Sequence, residues 1–316
     1  MKHWGIINGK NKQFSLSETL TLIDLLEHWQ ANLFIWWVLS WGETIRPMDD
    51  IHFYKFKLIQ KKCKEKGITF WAGMKPGDQR YCKNKKDRKL FIQNAVKYID
   101  NGADGFYLAM DDLHPKRLKK PFGHIRAEDS IYHAKLICEL QNKLGSKLKA
   151  ICAEQYHGLS FKDYKGYWSP IFESLHPETM ITWTGPKTWN RKLTKEHFSW
   201  IKRPVMLFDN FIANNSSILG QTPVYPYSGR DHSLTKAIDA AVINPNKNFQ
   251  WQYWALYTAM DYFKNSKEYD SDISFSKAVM EFENIYQKYY LKIKNQGVKR
   301  SNDATNIKYL EDVVYI

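Results

Sequence analysis

The stretch "FYLAMDDLH", residues 106–114, joins an apolar run to a pair of acids. Five apolar residues run without polar interruption into two adjacent aspartates and a histidine. A half-exposed strand alternates apolar and polar residues, whereas an unbroken apolar run bounded by charge reads as a strand buried on both faces, as in a parallel sheet covered by helices. Neighbouring side chains on a regular strand point to opposite faces, so two adjacent acids can share one ligand only where the strand gives way to a loop. The doublet sits at such a place.

Seven further runs of this kind flank it: "WGIIN" (4–8), "NLFIWWVL" (32–39), "ITFWAGM" (68–74), "LKAICA" (148–153), "TMITWTG" (179–185), "PVMLFDN" (204–210) and "AAVIN" (240–244). Segments of helical period lie between them, including 17–30 with Ser17 as cap, 87–102 with Gly102 as stop and 128–145 with Gly145 as stop. Eight buried strands alternating with helices imply an α/β chain folded as a (β/α)8 TIM-type barrel. An open doubly wound sheet is the alternative, which eight in-order repeats disfavour. The barrel is expected over 1–265, with a helical extension and flexible tail over 266–316, where "SFSKAVMEFENIYQKYYLKIK" (274–294) is amphipathic and 295–306 is polar.

Composition narrows the class. The chain has 316 residues, 43% hydrophobic and 25% charged, and no apolar run nears the 18 or so residues a membrane helix needs. "MKHWGIINGKNKQF" lacks a signal-peptide apolar region, so a cytoplasmic location is the default expectation, with non-classical export left open. Cys63, Cys82, Cys138 and Cys152 are widely spaced and form no CxxC, so neither a disulfide framework nor a zinc site is expected. The net charge of +14 lies largely on helix faces and in "KKCKEKG" (61–67) and "KNKKDRK" (83–89). It reads as a lysine-rich solvated surface, with no nucleic-acid partner and no membrane expected, and a polyanion site as the competing reading.

In such a barrel the active site lies at the C-terminal ends of the strands. The residues there include Asn8, Gly9, Ser40, Trp41, Lys75, Asp111, Asp112, Tyr156, Thr184, Gly185, Asp209, Asn210 and Asn244. Flat rings beside amides, hydroxyls and carboxylates suit a sugar, and Trp37, Trp41, Trp71, Trp183 and Trp189 lie in or near strand ends. Two crowded carboxylates in a partly dry pocket do not ionise together easily, so one can keep a proton for general acid catalysis while the other stays charged. Adjacency leaves no room for one of them to attack from the opposite ring face, so the nucleophile would come from the substrate. His114 and His157 neighbour this chemistry and are read as structural or solvated, while Glu154 is a rival acid whose strand parity is expected to differ from that of the residues around it. The proposed chemistry needs no metal and no cofactor.

"FYLAMDDLH" resembles the Asp-Asp motif of glycoside hydrolase family 84, the β-N-acetylglucosaminidases that include protein O-GlcNAcases and hyaluronidase-like enzymes. The resemblance continues in order through "WGIING", "CAEQYHG", "ITWTG", "FDNFIANN", "PYSGR" and "INPN", and covers nearly all of residues 4–263. It implies a (β/α)8 barrel and a retaining β-N-acetylhexosaminidase in which the 2-acetamido oxygen attacks the anomeric carbon to give an oxazoline. It implies that Asp111 accepts the acetamido N–H and that Asp112 is the general acid and base. Tyr156 would aim the acetamido oxygen, Trp183 and Thr184 would wall its pocket, and Asn210 and Asn244 would bind sugar hydroxyls, with Gly9 carried over from the first loop. The substrate would be a glycan or glycoprotein.

Departures cluster at the hydroxyl end of the sugar. Only Gly9 survives of the family's first-loop motif, Leu39 stands nearest the family's lysine after the second strand, Phe208 replaces a tryptophan, and Asn215 replaces an aspartate. An endo-acting, hyaluronidase-like glycosidase on an acidic glycan, and a catalytically inactive glycan-binding barrel, stand as alternative readings. The sequence carries no signal of oligomeric state.

Overall fold

The computed structural model describes residues 1–8, 14–38, 50–76, 82–111, 127–160, 166–213, 225–246, 249, 252–286 and 288. Eight strands follow in order: β1 (His3–Asn8), β2 (Leu33–Trp37), β3 (Thr69–Met74), β4 (Gly105–Ala109), β5 (Leu148–Cys152), β6 (Met180–Trp183), β7 (Val205–Asp209) and β8 (Ala240–Ile243). Each pairs in parallel with the next and β8 pairs with β1, closing a barrel. This is the (β/α)8 architecture expected from the eight apolar runs, and every strand falls within one residue of its run.

Around the barrel lie α1 (Leu16–His28), α2 (Asp50–Glu65), α3 (Lys85–Asp100), α4 (Ala127–Leu144), the short α5 (Trp168–Ser174), α6 (Tyr253–Lys264) and α7 (Ser271–Ile285). Among the described residues, the connections after β6 and β7 carry only 3-10 turns, Lys195–His197 and Leu234–Lys236. Ser15, not Ser17, caps α1: its Oγ accepts from Glu18 N at 3.1 Å, and Glu18 Oε2 accepts from Ser15 N at 2.9 Å. The reciprocal pair needs an acid three residues on, which Ser15 has in Glu18, whereas Ser17 is followed at that spacing by Leu20. Asp270 caps α7, accepting from Asp272 N and Ile273 N, and the helix begins at Ser271, three residues before the expected start at 274. Gly102 ends α3 with φ +104°, a conformation that a Cβ disfavours.

Strand parity sorts the apolar residues into two layers. On β4, Phe106, Leu108 and Met110 face the helices, while Tyr107 and Ala109 face the barrel interior. The interior is filled by side chains such as Ile7, Ile35, Trp71, Tyr107, Met180 and Met206, so it is a packed core and not a channel. Gly5 lets β1 and β2 approach, since a Cβ there would lie 1.7 Å from the Leu33 carbonyl oxygen.

The helix α7 docks on α6 through Phe282, whose ring centroid lies 4.7 Å from Trp254 and 5.1 Å from Tyr253. Ser274 Oγ donates to Asp261 Oδ2 at 2.6 Å, and His28 of α1 lies 3.2 Å from Glu281. Among the described residues, no helix is long and apolar enough to cross a membrane.

Candidate active site

The same parity that fills the interior continues one step beyond each strand. The inward row of β3 (Trp71, Gly73) leads to Lys75, that of β4 (Tyr107, Ala109) to Asp111, that of β6 (Met180, Thr182) to Thr184, that of β7 (Met206, Phe208) to Asn210, and that of β8 (Ala240, Val242) to Asn244. These residues therefore meet at the C-terminal mouth. Trp37, Tyr156 and Phe208 pack on the top of the interior cluster, and Trp37 meets Tyr107 edge to face at 5.8 Å, so the mouth has an aromatic floor.

At one side of this floor, Lys75 Nζ lies 3.2 Å from Asp111 Oδ2, the lysine side chain 7% exposed and the aspartate 25%. Beneath them, burial first, then the nearby Cys152 and Asp111, hold the Tyr107 phenol well above its usual range, so it stays protonated.

Across the mouth, Thr184 N donates to Tyr156 O at 2.9 Å and Thr184 Oγ1 donates to Lys187 O at 2.8 Å. Asn190 Nδ2 donates to Thr184 O at 2.8 Å and to Lys187 O at 2.7 Å, while its Oδ1 accepts from Lys187 N at 3.0 Å. Gly185 completes this turn at φ +108°, where a Cβ would come within 2.6 Å of Leu193. Trp183 has the opposite parity: fully buried on the helix side, it donates from Nε1 to Gly158 O at 3.1 Å and packs edge to face on Trp200. It backs the loop that carries Tyr156. His157, edge-on to Tyr156 at 5.5 Å, is held below its usual pKa by burial, against a hydrogen bond to the Pro186 backbone that favours its charge.

Asn210 and Asn244 form a pair. Asn244 Nδ2 donates to Asn210 Oδ1 at 2.7 Å, and Asn210 Nδ2 donates to Thr188 O at 2.8 Å. Their backbone is held by Asp209, which points outward into a buried brace. Arg230 donates from Nε to Asp209 Oδ2 at 2.9 Å and from a terminal nitrogen to Oδ1 at 2.7 Å, and Tyr227 OH donates to Oδ2 at 2.7 Å. Burial disfavours the Arg230 charge, but Asp209 more than offsets this and holds the guanidinium above its ordinary range. The guanidinium also stacks over Phe211 at 4.7 Å and Tyr227 at 4.9 Å. Asp209 and the arginine of "PYSGR" lie 21 residues apart, and the sequence does not show that the connection after β7 folds back to join them.

Glu154 is buried, and its backbone N donates to Tyr167 OH at 2.9 Å, which also meets His133 Nδ1 at 3.0 Å. Asp112, Gly9, Asn215, Leu39, Trp41 and His114 lie outside the described residues. Among the described residues, no cluster of His, Cys, Asp or Glu could hold a metal ion. A cavity of about 680 Å³ opens at the opposite, N-terminal end, lined by Lys2, His3, Trp71, Lys149 and His176 among others.

A family model described as beta-N-acetylglucosaminidase matches residues 41–294. The chain is 23% identical over 297 residues to the protein O-GlcNAcase of Rattus norvegicus and equally to that of Mus musculus, covering 83% of this chain and 30% of theirs. It thus spans about a third of the length of these curated relatives. Among solved structures, an O-GlcNAc hydrolase mutant of Thermobaculum terrenum superposes with a TM-score of 0.75 at 20% identity, covering 88% of this chain and 62% of that one. CpGH84B gives a TM-score of 0.75 at 19% identity, covering 89% and 51%. At these identities the superpositions establish the shared barrel.

Proposed function

The chain belongs to the β-N-acetylglucosaminidase family, glycoside hydrolase family 84, and from that premise we propose that it is a retaining β-N-acetylhexosaminidase acting on a terminal 2-acetamido sugar of a glycan or glycoprotein. The observation that carries this reading is Asp111: it extends the inward row of β4 into a mouth floored by aromatic rings, where a sugar face can pack.

The acetamido carbonyl oxygen attacks the anomeric carbon, the glycosidic bond breaks, and an oxazoline forms. Asp111 accepts the acetamido N–H and balances the positive charge that develops on the ring. Asp112 gives its proton to the leaving oxygen and then takes one from the water that opens the oxazoline, which restores the sugar with its β configuration. Tyr156 directs the acetamido oxygen, and Thr184 holds Tyr156 through the 2.9 Å backbone hydrogen bond. Asn210 and Asn244 present amides to the sugar hydroxyls. General acid catalysis contributes roughly 10²- to 10⁴-fold, so its loss weighs most on poor leaving groups.

The test is hydrolysis of 4-nitrophenyl β-N-acetylglucosaminide and its galacto epimer by wild type, Asp111→Asn and Asp112→Asn. Wild type is expected to cleave at least one substrate and both variants to fall by orders of magnitude, Asp112→Asn less so with this good leaving group. Folded wild type that cleaves neither overturns the exo-acting reading in favour of a polymeric substrate or binding alone.

A further inference from the structure

Resting on that reading, we propose that Lys75 is a positioning residue for the reaction, its ammonium fixing the Asp111 carboxylate so that one oxygen remains aimed at the substrate's acetamido N–H. Register brings the two together. Gly73 on β3 pairs with Tyr107 on β4, so Lys75 stands level with Ala109, one inward step deeper than Asp111. Its Nζ reaches Oδ2 at 3.2 Å from the barrel side, with the lysine side chain 7% exposed and the aspartate 25%. One oxygen of Asp111 is therefore engaged by Lys75, while a quarter of the aspartate side chain stays exposed.

Lysine is rarely buried to this degree without a charged partner, and an ammonium placed in a barrel mouth does nothing for core packing that an apolar side chain would not do better. A carboxylate free to rotate would have to be ordered again in each turnover, whereas one held by a buried ion pair is already aligned when the sugar arrives. The contact with the acetamido N–H matters most as charge develops in the transition state, so losing the alignment should appear in kcat more than in KM.

The experiment compares full-length wild type with Lys75→Met, Lys75→Arg and Asp111→Asn, and combines Lys75→Met with Asp111→Asn, reading kcat and KM on the 4-nitrophenyl substrate and affinity for an N-acetylglucosamine thiazoline. Expected are a kcat loss of about tenfold or more in Lys75→Met with KM moved about twofold or less, and partial recovery in Lys75→Arg. In the Asp111→Asn background, Lys75→Met should cost no more than about twofold, because a residue acting through Asp111 has nothing left to act on. Losses that multiply in the double variant, or a loss confined to KM, overturn the proposal. If Lys75→Met does not fold, as judged by thermal unfolding, Lys75→Gln carries the same cycle. Wild type that neither cleaves the substrate nor binds the thiazoline defeats the glycosidase reading itself, an outcome distinct from an active enzyme in which the two losses are independent.

Discussion

At the scale of single residues, the mouth is built from side chains that bind one another before they bind anything else. Asn244 donates to Asn210, and Asn210 donates to Thr188, so neither amide is free to turn. Asn244→Ala removes one end of this chain and leaves Asn210 Oδ1 without that donor. It should lower kcat/KM by about tenfold or more, on the scale of one hydrogen bond of about 1–3 kcal/mol, with little change in melting temperature. A matching fall in thermal stability would show that the pair serves the fold instead. Asp111, Thr184, Asn210 and Asn244 were legible in the sequence because each follows an apolar run at the spacing that keeps it on the inward face. The partnership of Lys75 with Asp111 was not, since it depends on how β3 and β4 align. Trp183 was read as a wall of the pocket from its place in "ITWTG", but its indole lies on the helix side, and only parity counted from the core separates it from Thr184.

At the scale of elements, the eight strands were legible because strands buried on both faces leave unbroken apolar runs. The connections after β6 and β7 were not, because their stability comes from polar contacts between distant segments and not from a helical period. Among the described residues, the brace of Asp209, Arg230 and Tyr227 is one such contact, with the Asp209 and Arg230 side chains 3% and 1% exposed at the ion pair. Arg230→Met should destabilise the protein by about 3–5 kcal/mol, since it strands a buried carboxylate. Asp209→Asn with Arg230→Met should be less damaging than Arg230→Met alone, and denaturant titration of wild type, the single variant and the double variant checks both statements. The packing of α7 on α6 gives a second case. Phe282 is 6% exposed between Trp254 and Tyr253, so Phe282→Ala should cost about 3–5 kcal/mol by the same measurement.

For the whole molecule, acid should act in part through histidines whose protonation the fold disfavours. His3 is held below its usual pKa by burial and by the neighbouring Lys149 and Lys2, and His157 is lowered by burial. Between their folded values and the unfolded value of about 6.5 the unfolded chain binds more protons, so stability is full above that pH and declines as pH falls through the window. Thermal unfolding between pH 7.5 and 5.5 should show the decline, and His157→Gln should flatten it; a melting temperature that rises on acidification would contradict the assignment.

The interior rows also govern how such a protein can change over generations. Because Lys75, Asp111, Asn210 and Asn244 owe their direction to an odd or even count along a strand, deleting one residue inside β3, β4, β7 or β8 would turn that side chain from the mouth toward the helices. Insertions and deletions are thus excluded from the strands and left to the loops between them, and a new substrate is reached by replacing side chains at fixed places on the rim.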